Sequence, residues 1–210
     1  MHIMRIFSLF ILLLFLSPKA KAQDAFEWTT YFTAAEIALC NTAEEATYLT
    51  QAEKDCFTLL NLARKSPDNF NLMYIDYLQS EDEIGNKKYK ARNKYYYSLS
   101  KDLKKLKASK FELIKPDEEL FEAAKCWAIE SGKKGVIGHN RRKCKKGQFA
   151  ECCNYMDEEG AIHHIFSLLI DEGISDLGHR KIMLTPEYSK AGASIQYHKT
   201  YGKCLVIDII

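Results

Sequence analysis

The sequence predicts an α+β fold in which helices cover a small antiparallel sheet. Apolar residues recur at helical spacing in several segments between residues 46 and 170. One β-like run lies at 149–155, and two more, 193–197 and 205–210, flank a turn at 199–202 and predict a β-hairpin. Helices followed by a strand, a helix and a terminal hairpin are typical of the α+β class. We find no internal repeat, low-complexity tract or second domain.

The first 22 residues have the features of a secretion signal. Arg5 supplies positive charge, an apolar run covers 6–16, and Ala20-Lys21-Ala22 is a small-x-small cleavage site. The run is shorter than the roughly 20 apolar residues that a membrane-spanning helix needs. We therefore expect cleavage after Ala22, a secreted or periplasmic protein, and no transmembrane anchor in the mature chain.

The charge of the mature chain does not favour nucleic acid as a partner. Three of the 30 basic residues and none of the 28 acids lie in the signal, which leaves a formal charge of −1. The 188 remaining residues suit one domain with its own core. We divide them into an N-terminal segment at 23–47 and a domain at 48–210.

The first half of the mature chain predicts two helices. Thr42 and Glu45 have the spacing of a capping box. A helix is predicted from 46 to 65, where a proline follows, and a shorter one over 69–78. The charged stretch 81–94 is predicted to be a loop or a solvated helix end. The tyrosines at 95–97 are predicted to pack against the domain.

The second half places four polar side chains at the ends of elements or on a strand. Pro116 is predicted to open a helix that Ser131-Gly132 stops. The loop 135–138 then leads to His139. The basic run 141–146 is predicted to be a solvated loop. Three further polar residues follow: Glu151 lies within the strand candidate, Asp171 ends a helix that Gly160 opens, and His179 follows Gly178.

All seven cysteines lie in the mature chain, and an oxidising compartment predicts at least two disulfides. Because the count is odd, at least one thiol is free or pairs between chains. Cys144 is predicted to pair with Cys152 or Cys153, since its loop closes onto the neighbouring strand. The adjacent Cys152 and Cys153 should point to opposite faces of that strand.

The remaining histidines have ordinary structural explanations. His163 and His164 are adjacent in a predicted helix, so they point about 100° apart and do not easily share a metal. We expect both at surface or half-buried positions, and His198 beside the hairpin turn to be exposed. Arg180 is predicted to pair with an acid, either near the cleft or in an ordinary ion pair.

Four motifs in order resemble the CAP superfamily, which comprises cysteine-rich secretory, antigen 5 and pathogenesis-related-1 proteins and is also called the SCP-like extracellular domain. The resemblance spans roughly residues 50 to 210 and is closest to bacterial members. The motifs are Asn-x-x-Arg at 61–64, Leu-x-x-Ala-Ala-x-x-Trp-Ala at 120–128 before Gly-His at 138–139, Ala-Glu-Cys-Cys at 150–153 and Gly-His-Arg-Lys-Ile-Met-Leu at 178–184.

The resemblance implies an α-β-α sandwich whose cleft holds two histidines and two acids. By position these are His139, Glu151, Asp171 and His179; Leu168 stands where the family's tryptophan precedes the helix acid. This tetrad binds a divalent metal, often zinc, in several members. Neutral imidazoles suit zinc, and carboxylates orient them. We therefore expect His139 and His179 to be the metal ligands.

Two functions remain open from the sequence. One is a secreted binding module for a protein, peptide or lipid ligand, as the resemblance implies, with a structural or regulatory metal. The other is a metal-assisted hydrolase of peptidase type that uses a metal-bound water in the same cleft. Cys152 and Cys153 replace the family's Asn-Ile after Glu151 and raise a thiol-nucleophile variant, although disulfide use is favoured outside the cell.

Overall fold

The computed structural model describes residues 26–82, 93–144, 147–157 and 160–210, so the predicted signal lies outside the described residues. Short 3-10 helices lie at Trp28–Tyr31 and Ala108–Lys110. The α-helices of the described ranges are α1 (Ala34–Cys40), α2 (Gln51–Lys65), α3 (Pro67–Asp82), α4 (Asn93–Leu103), α5 (Glu118–Lys134), α6 (Ala161–Ile170) and α7 (Gly178–Met183). The strands are β1 (Lys115–Pro116), β2 (Ala150–Met156), β3 (Lys190–His198) and β4 (Gly202–Ile209).

The four strands form one mixed sheet in the order β1-β3-β4-β2. The predicted hairpin is confirmed as β3 and β4, and β2 pairs antiparallel with β4. The two-residue β1 is parallel to β3, so the predicted antiparallel sheet holds for the three long strands only. In this register Glu151 of β2 lies directly opposite Asp208 of β4.

Helices cover both faces of the sheet, which gives the α-β-α arrangement and confirms the α+β class. On one face, Ala124, Trp127 and Ala128 of α5 pack against Cys153 and Val206. A larger apolar cluster fills the other face, where α2, α3 and α6 bring Leu59, Phe70 and Phe166 against Leu205 and Ile207. The adjacent cysteines of β2 point to opposite faces as predicted, because Cys152 belongs to the larger cluster and Cys153 to the smaller.

Helix α5 lies so close to β3 that two of the contacts require glycine. A Cβ atom on Gly132 would come 2.0 Å from the Tyr197 carbonyl oxygen, and one on Gly192 would come 2.0 Å from the Phe121 nitrogen. The prediction that Ser131-Gly132 stops the helix is therefore wrong. The helix ends at Gly135, whose φ of 69° provides the left-handed cap.

Two helix starts differ from the sequence prediction. Helix α5 begins at Glu118 and not at Pro116, because Asp117 is its N-cap, whose side chain accepts a hydrogen bond from the Leu120 amide. Helix α2 begins at Gln51 because Thr50 and Glu53 form the capping box. Thr42 instead donates its hydroxyl to the Ile114 carbonyl, so the predicted capping role of Thr42 is wrong.

Asn61 and Arg64 of α2 are fully buried, and their side chains hydrogen-bond to main-chain groups distant in sequence. The Asn61 amide donates to the Ile114 carbonyl and accepts from the Ile114 amide. The Arg64 guanidinium donates to the carbonyls of Met183, the last residue of α7, and of Tyr188 in the segment that follows. The Asn-x-x-Arg motif thus anchors the segment that follows the second histidine.

Helix α4 only partly meets the prediction for the tyrosines. Tyr95 and Tyr96 are half-buried, whereas Tyr97 is 59% exposed. The predicted charged loop falls mainly on 83–92, outside the described residues. No helix in the described part of the chain has the length and apolarity needed to cross a membrane.

Candidate functional site

The four predicted site residues gather at the edge strand β2, where the two helical layers meet. His139 lies on the loop after α5, on one side of the sheet, and Glu151 lies on β2 itself. Asp171 follows the last residue of α6, and His179 is the second residue of α7, on the other side. The fold therefore brings together residues that are up to 40 positions apart in the sequence.

The first half of the site is a carboxylate–histidine pair backed by a buried arginine. Nδ1 of His139 lies 2.7 Å from Oε1 of Glu151. The guanidinium of Arg141 donates to Oε2 of Glu151 and to Oδ1 of Asp208, and a third bond of 2.9 Å runs to the Ala123 carbonyl. Arg141 is buried, so the predicted solvated loop at 141–146 is wrong at its first residue. Two carboxylates that face each other across paired strands need this cation.

These charges shift three pKa values in the first half. The hydrogen bond that His139 donates to Glu151 raises the pKa of His139 despite partial burial. Burial would raise the pKa of Glu151, but His139 and the Arg141 guanidinium hold it below its usual value. Burial raises the pKa of Asp208 to about 7, although Arg141 opposes the shift. Glu151 is thus the ionised partner of His139 at neutral pH.

Three aromatic side chains hold the loop that carries His139; Trp127 and His198 are buried and Tyr155 is half-buried. The Trp127 indole donates to the Gly138 carbonyl at 3.0 Å, and the Tyr155 hydroxyl accepts from the Gly138 amide at 3.0 Å. Nε2 of His198 lies 3.0 Å from the Val136 carbonyl oxygen. His198 is fully buried between Tyr155 and the hairpin turn, so its predicted exposure is wrong.

The second half is a carboxylate–histidine pair backed by main chain. Asp171 adopts a left-handed conformation with φ of 57° at the end of α6. Its Oδ1 lies 2.7 Å from Nδ1 of His179, and its Oδ2 accepts from the amides of His179 and Arg180. Asp171 is buried, so its carboxylate is fixed on both oxygens by the start of α7.

The two imidazole rings approach each other across the edge of β2. Their centroids are 6.2 Å apart. The His139 side chain is 54% exposed and that of His179 is 18% exposed. Since each Nδ1 faces a carboxylate, each Nε2 is the nitrogen left for another ligand. Such carboxylate–histidine pairs are a common support for metal-binding imidazoles.

A group on the inner side of His139 can also hold a metal ion. One ligand atom from each of His139, Glu151 and Cys153 lies within 4.8 Å of the other two. Cys153 Sγ lies 3.8 Å from Nδ1 of His139. Cys153 was not among the metal ligands predicted from the sequence. Its position two residues after Glu151, on the same strand face, is the signal that would have found it.

A shallow pocket of about 420 Å³ opens beside the first half of the site. It begins one residue before Glu151, and the Phe149 ring in its wall packs on the Arg141 guanidinium. The pocket is lined by Gln148, Phe149, Ala150, Tyr188, Ile209 and Ile210.

The predicted disulfides need correction. Cys144 pairs with Cys126 of α5, not with Cys152 or Cys153. The other five cysteines are buried free thiols, so one disulfide replaces the expected two or more. Cys152 and Cys153 point into the two cores of the sandwich, whereas Cys126 lies on the face of α5 that the Cys144 loop crosses.

Arg180 and the paired histidines of α6 are structural. Arg180 is buried and reaches Asp102 of α4 and the carbonyls of Leu169 and Ile170, away from the cleft. His163 is half-buried as predicted, whereas His164 is fully buried with Nδ1 2.7 Å from the Asn154 amide oxygen.

Comparison with known proteins does not assign the chain to a family. No protein-family model matches it, and no curated protein matches it significantly.

Proposed function

We propose that this protein is a secreted CAP-type binding module whose cleft holds a divalent metal ion, zinc foremost, between Nε2 of His139 and Nε2 of His179. The observation that carries the proposal is the pair of oriented imidazoles, each with Nδ1 2.7 Å from a carboxylate oxygen. The four CAP-like sequence motifs support the family, and the α-β-α arrangement agrees with it.

The distance between the rings supports a shared ion. With zinc–nitrogen bonds of about 2.0–2.1 Å, the ion lies about 3 Å from each ring centre. Two rings that share one ion therefore have centroids about 5–6.5 Å apart. The centroids of His139 and His179 are 6.2 Å apart, within this range. Two protein ligands leave positions on the ion for water or for a group from a partner.

The hydrogen bonds of the acids favour binding over hydrolysis. A hydrolase of this type needs a carboxylate that is free to take a proton from the metal-bound water. Oε1 of Glu151 faces His139 and Oε2 accepts from Arg141. Oδ1 of Asp171 faces His179 and Oδ2 accepts two main-chain amides. Both acids thus orient the histidines, and neither tetrad acid is left as a base.

The partner in this proposal is a protein, peptide or lipid that docks at the open edge of the site. His139 is the exposed member of the pair, and the lining of the pocket of about 420 Å³ includes Ala150, the residue before Glu151. In this proposal a carboxylate or carbonyl of the ligand completes the coordination of the ion. The metal then acts as part of the recognition surface.

Zinc titration calorimetry of the mature chain, residues 23–210, tests the proposal. With Cys153 replaced by alanine throughout, so that its nearby thiol cannot bind the ion, we expect one ion at this site and an affinity at least 10-fold weaker after His139→Ala or His179→Ala. His163→Ala is the matched control, because His163 is a half-buried histidine that bonds to Tyr77 outside the cleft. Unchanged zinc affinity in His179→Ala would remove the shared site.

Two further measurements address the remaining parts of the proposal. The N-terminus of the exported protein should be Gln23, and an intact Met1 in that fraction contradicts secretion by this route. Incubation of the zinc-loaded protein with a peptide library should give no turnover. Metal-dependent cleavage that is lost in both histidine variants would favour the hydrolase instead.

A further inference from the structure

The inner face of His139 carries a different set of potential ligands from its outer face. On this side Nδ1 faces Oε1 of Glu151 at 2.7 Å and Sγ of Cys153 at 3.8 Å. We infer that Nδ1 of His139, Sγ of Cys153 and a Glu151 oxygen form a second metal site, for a thiophilic divalent ion such as Zn²⁺, Co²⁺ or Cd²⁺. This site does not use His179, so it goes beyond the proposed function.

The sulfur and nitrogen atoms already have a separation that suits one ion. Zinc–sulfur bonds of about 2.3 Å and zinc–nitrogen bonds of about 2.0–2.1 Å, at a tetrahedral angle, place the two ligand atoms about 3.6 Å apart. The observed distance of 3.8 Å needs only a small adjustment. The Glu151 oxygen must move away from Nδ1 by about half an ångström to reach its own ligand distance.

The inner site has one apolar, buried side at Cys153 and one side open to solvent at His139. Cys153 is 7% exposed and packs with Trp127 and Val206 in the smaller apolar cluster. His139 on the opposite side is mostly exposed, so an ion can enter past its ring. Three protein ligands and one position open to water make up a common zinc coordination.

Proton balance sets the conditions for binding. Burial raises the pKa of the Cys153 thiol well above its ordinary value, so the thiol is protonated before an ion arrives. The incoming ion displaces this proton to solvent, because a coordinated sulfur is a thiolate. Nδ1 of His139 must be the unprotonated nitrogen, so the imidazole proton resides on Nε2.

The local charge favours a cation once the thiolate has formed. Glu151 and Asp208 contribute up to two negative charges, and the Arg141 guanidinium between them contributes one positive charge. With the thiolate, the site carries between one and two net negative charges as Asp208 ionises. Since thiolate sulfur prefers softer ions, the site discriminates against Mg²⁺ and Ca²⁺.

The inner site and the proposed His139–His179 site exclude each other on one ring. Coordination through Nδ1 requires a proton on Nε2, whereas coordination through Nε2 requires the proton on Nδ1, opposite Glu151. An ion on the inner side therefore prevents His139 from sharing an ion with His179. The replacement of the family's Asn-Ile pair by Cys152-Cys153 is what gives this chain the choice.

Cobalt spectroscopy of the full mature chain, without reductant, tests the inner site. Cobalt bound to a thiolate has a sulfur-to-metal charge-transfer absorption in the near ultraviolet, which histidine and carboxylate ligands do not produce. We expect this absorption in the wild type, in His179→Ala and in Cys152→Ala. It should disappear in Cys153→Ala and in His139→Ala, with cobalt affinity at least 10-fold weaker in Cys153→Ala.

Cys152→Ala is the matched control because Cys152 is the adjacent buried thiol but points into the other core.

If the wild type binds cobalt without charge-transfer absorption, the inner site is wrong and the His139–His179 site is unaffected. Absorption that persists in Cys153→Ala also overturns it. Loss of absorption in His179→Ala would mean that the ion bound by sulfur also needs His179, which contradicts the inference. If the wild type binds no cobalt or zinc, both proposals are wrong. Circular dichroism checks the fold of each variant. If Cys153→Ala does not fold, His139→Ala decides the question, because absorption that persists in this variant overturns the inner site.

Discussion

The two halves of the site use the same contact but different supports. In each, Nδ1 of a histidine lies 2.7 Å from a carboxylate oxygen. The first half rests on charged side chains, because Arg141 bridges Glu151 and Asp208 across two strands. The second rests on main chain, because Asp171 accepts the amides of His179 and Arg180 at the start of α7. A charge network can be disturbed by mutation or pH, whereas backbone amides cannot be mutated away.

The histidines also differ in how their segments are tied down. His179 lies in a short helix whose following segment is bound by the buried Arg64. His139 lies on a loop that the Cys126–Cys144 disulfide closes and that Trp127 and Tyr155 hold by hydrogen bonds to Gly138. Reduction or substitution should therefore loosen the His139 half selectively.

The largest effect should follow loss of the cation in the first half. Arg141→Met leaves the Glu151 and Asp208 carboxylates buried opposite each other without compensation. Removing one partner of a buried ionic network typically costs about 3–5 kcal/mol of unfolding free energy. We expect a loss of this size at pH 8 by urea denaturation, and a smaller loss at pH 5, where Asp208, with its pKa of about 7, is protonated.

Arg142→Met is the control for this prediction. Arg142 is the adjacent arginine and is exposed, so its substitution should change the unfolding free energy by less than about 0.5 kcal/mol. Equal effects of the two substitutions would contradict the view that Arg141 holds the strand pair together.

Removal of the disulfide should have the next largest effect and should be local to the first half. The bond closes a loop with a sequence separation of 18, for which loop-closure entropy predicts about 3 kcal/mol of stabilisation. In Cys126→Ala/Cys144→Ala we expect a loss of this order. Hydrogen exchange should become faster at 135–144 and remain unchanged at 178–183. Equal acceleration in both segments would show that the halves are not independently supported.

The carboxylates themselves should have a smaller effect on stability and a measurable effect on metal binding. Asp171→Asn keeps a side chain that tolerates the left-handed backbone at this position but removes the charge that orients His179. Loss of such an oriented carboxylate typically costs 10–100-fold in metal affinity. We expect this loss for zinc in Asp171→Asn, with little change in the midpoint of thermal unfolding.

Glu151→Gln makes the corresponding change in the first half, so its effect can be compared with that of Asp171→Asn in the same assay. The amide introduced by this substitution would still face Arg141, but without a charge to balance it, so both zinc affinity and stability should fall. If Asp171→Asn destabilises the fold more than Glu151→Gln does, the backbone support assigned to the second half is insufficient.

The sequence predicted those features that depend on local pattern. The hairpin β3–β4, the strand that carries Glu151 and the opposite faces of Cys152 and Cys153 follow from residue alternation and turn residues. The helix end at Ser131-Gly132 was wrong because Gly132 serves a close approach to β3 and not a helix stop.

The errors at the site arise from pairings distant in sequence. Arg141 lies in a basic run that is solvated on local evidence, and it is buried because Asp208, 67 residues later, lies opposite Glu151. His198 was expected in solvent, but the loop at 135–138 covers it. The Cys126–Cys144 pairing likewise depends on which face of α5 the loop crosses. None of these contacts leaves a periodic signal in one sequence.

The smallest effect concerns the protonation of His139. The Glu151 hydrogen bond raises the pKa of His139, so its titration midpoint by NMR should lie above the value of about 6.5 for an unperturbed histidine. The imidazolium stabilises the fold fully below the unfolded-state pKa, and this contribution is lost as the pH rises through the higher folded-state pKa.

The proton on His139 also competes with metal, so zinc affinity should begin to fall at a higher pH than for a histidine without a carboxylate partner. Glu151→Gln should lower the His139 midpoint and shift the loss of zinc binding to lower pH. A His139 midpoint at or below about 6.5 in the wild type would show that the charge network does not act on this ring.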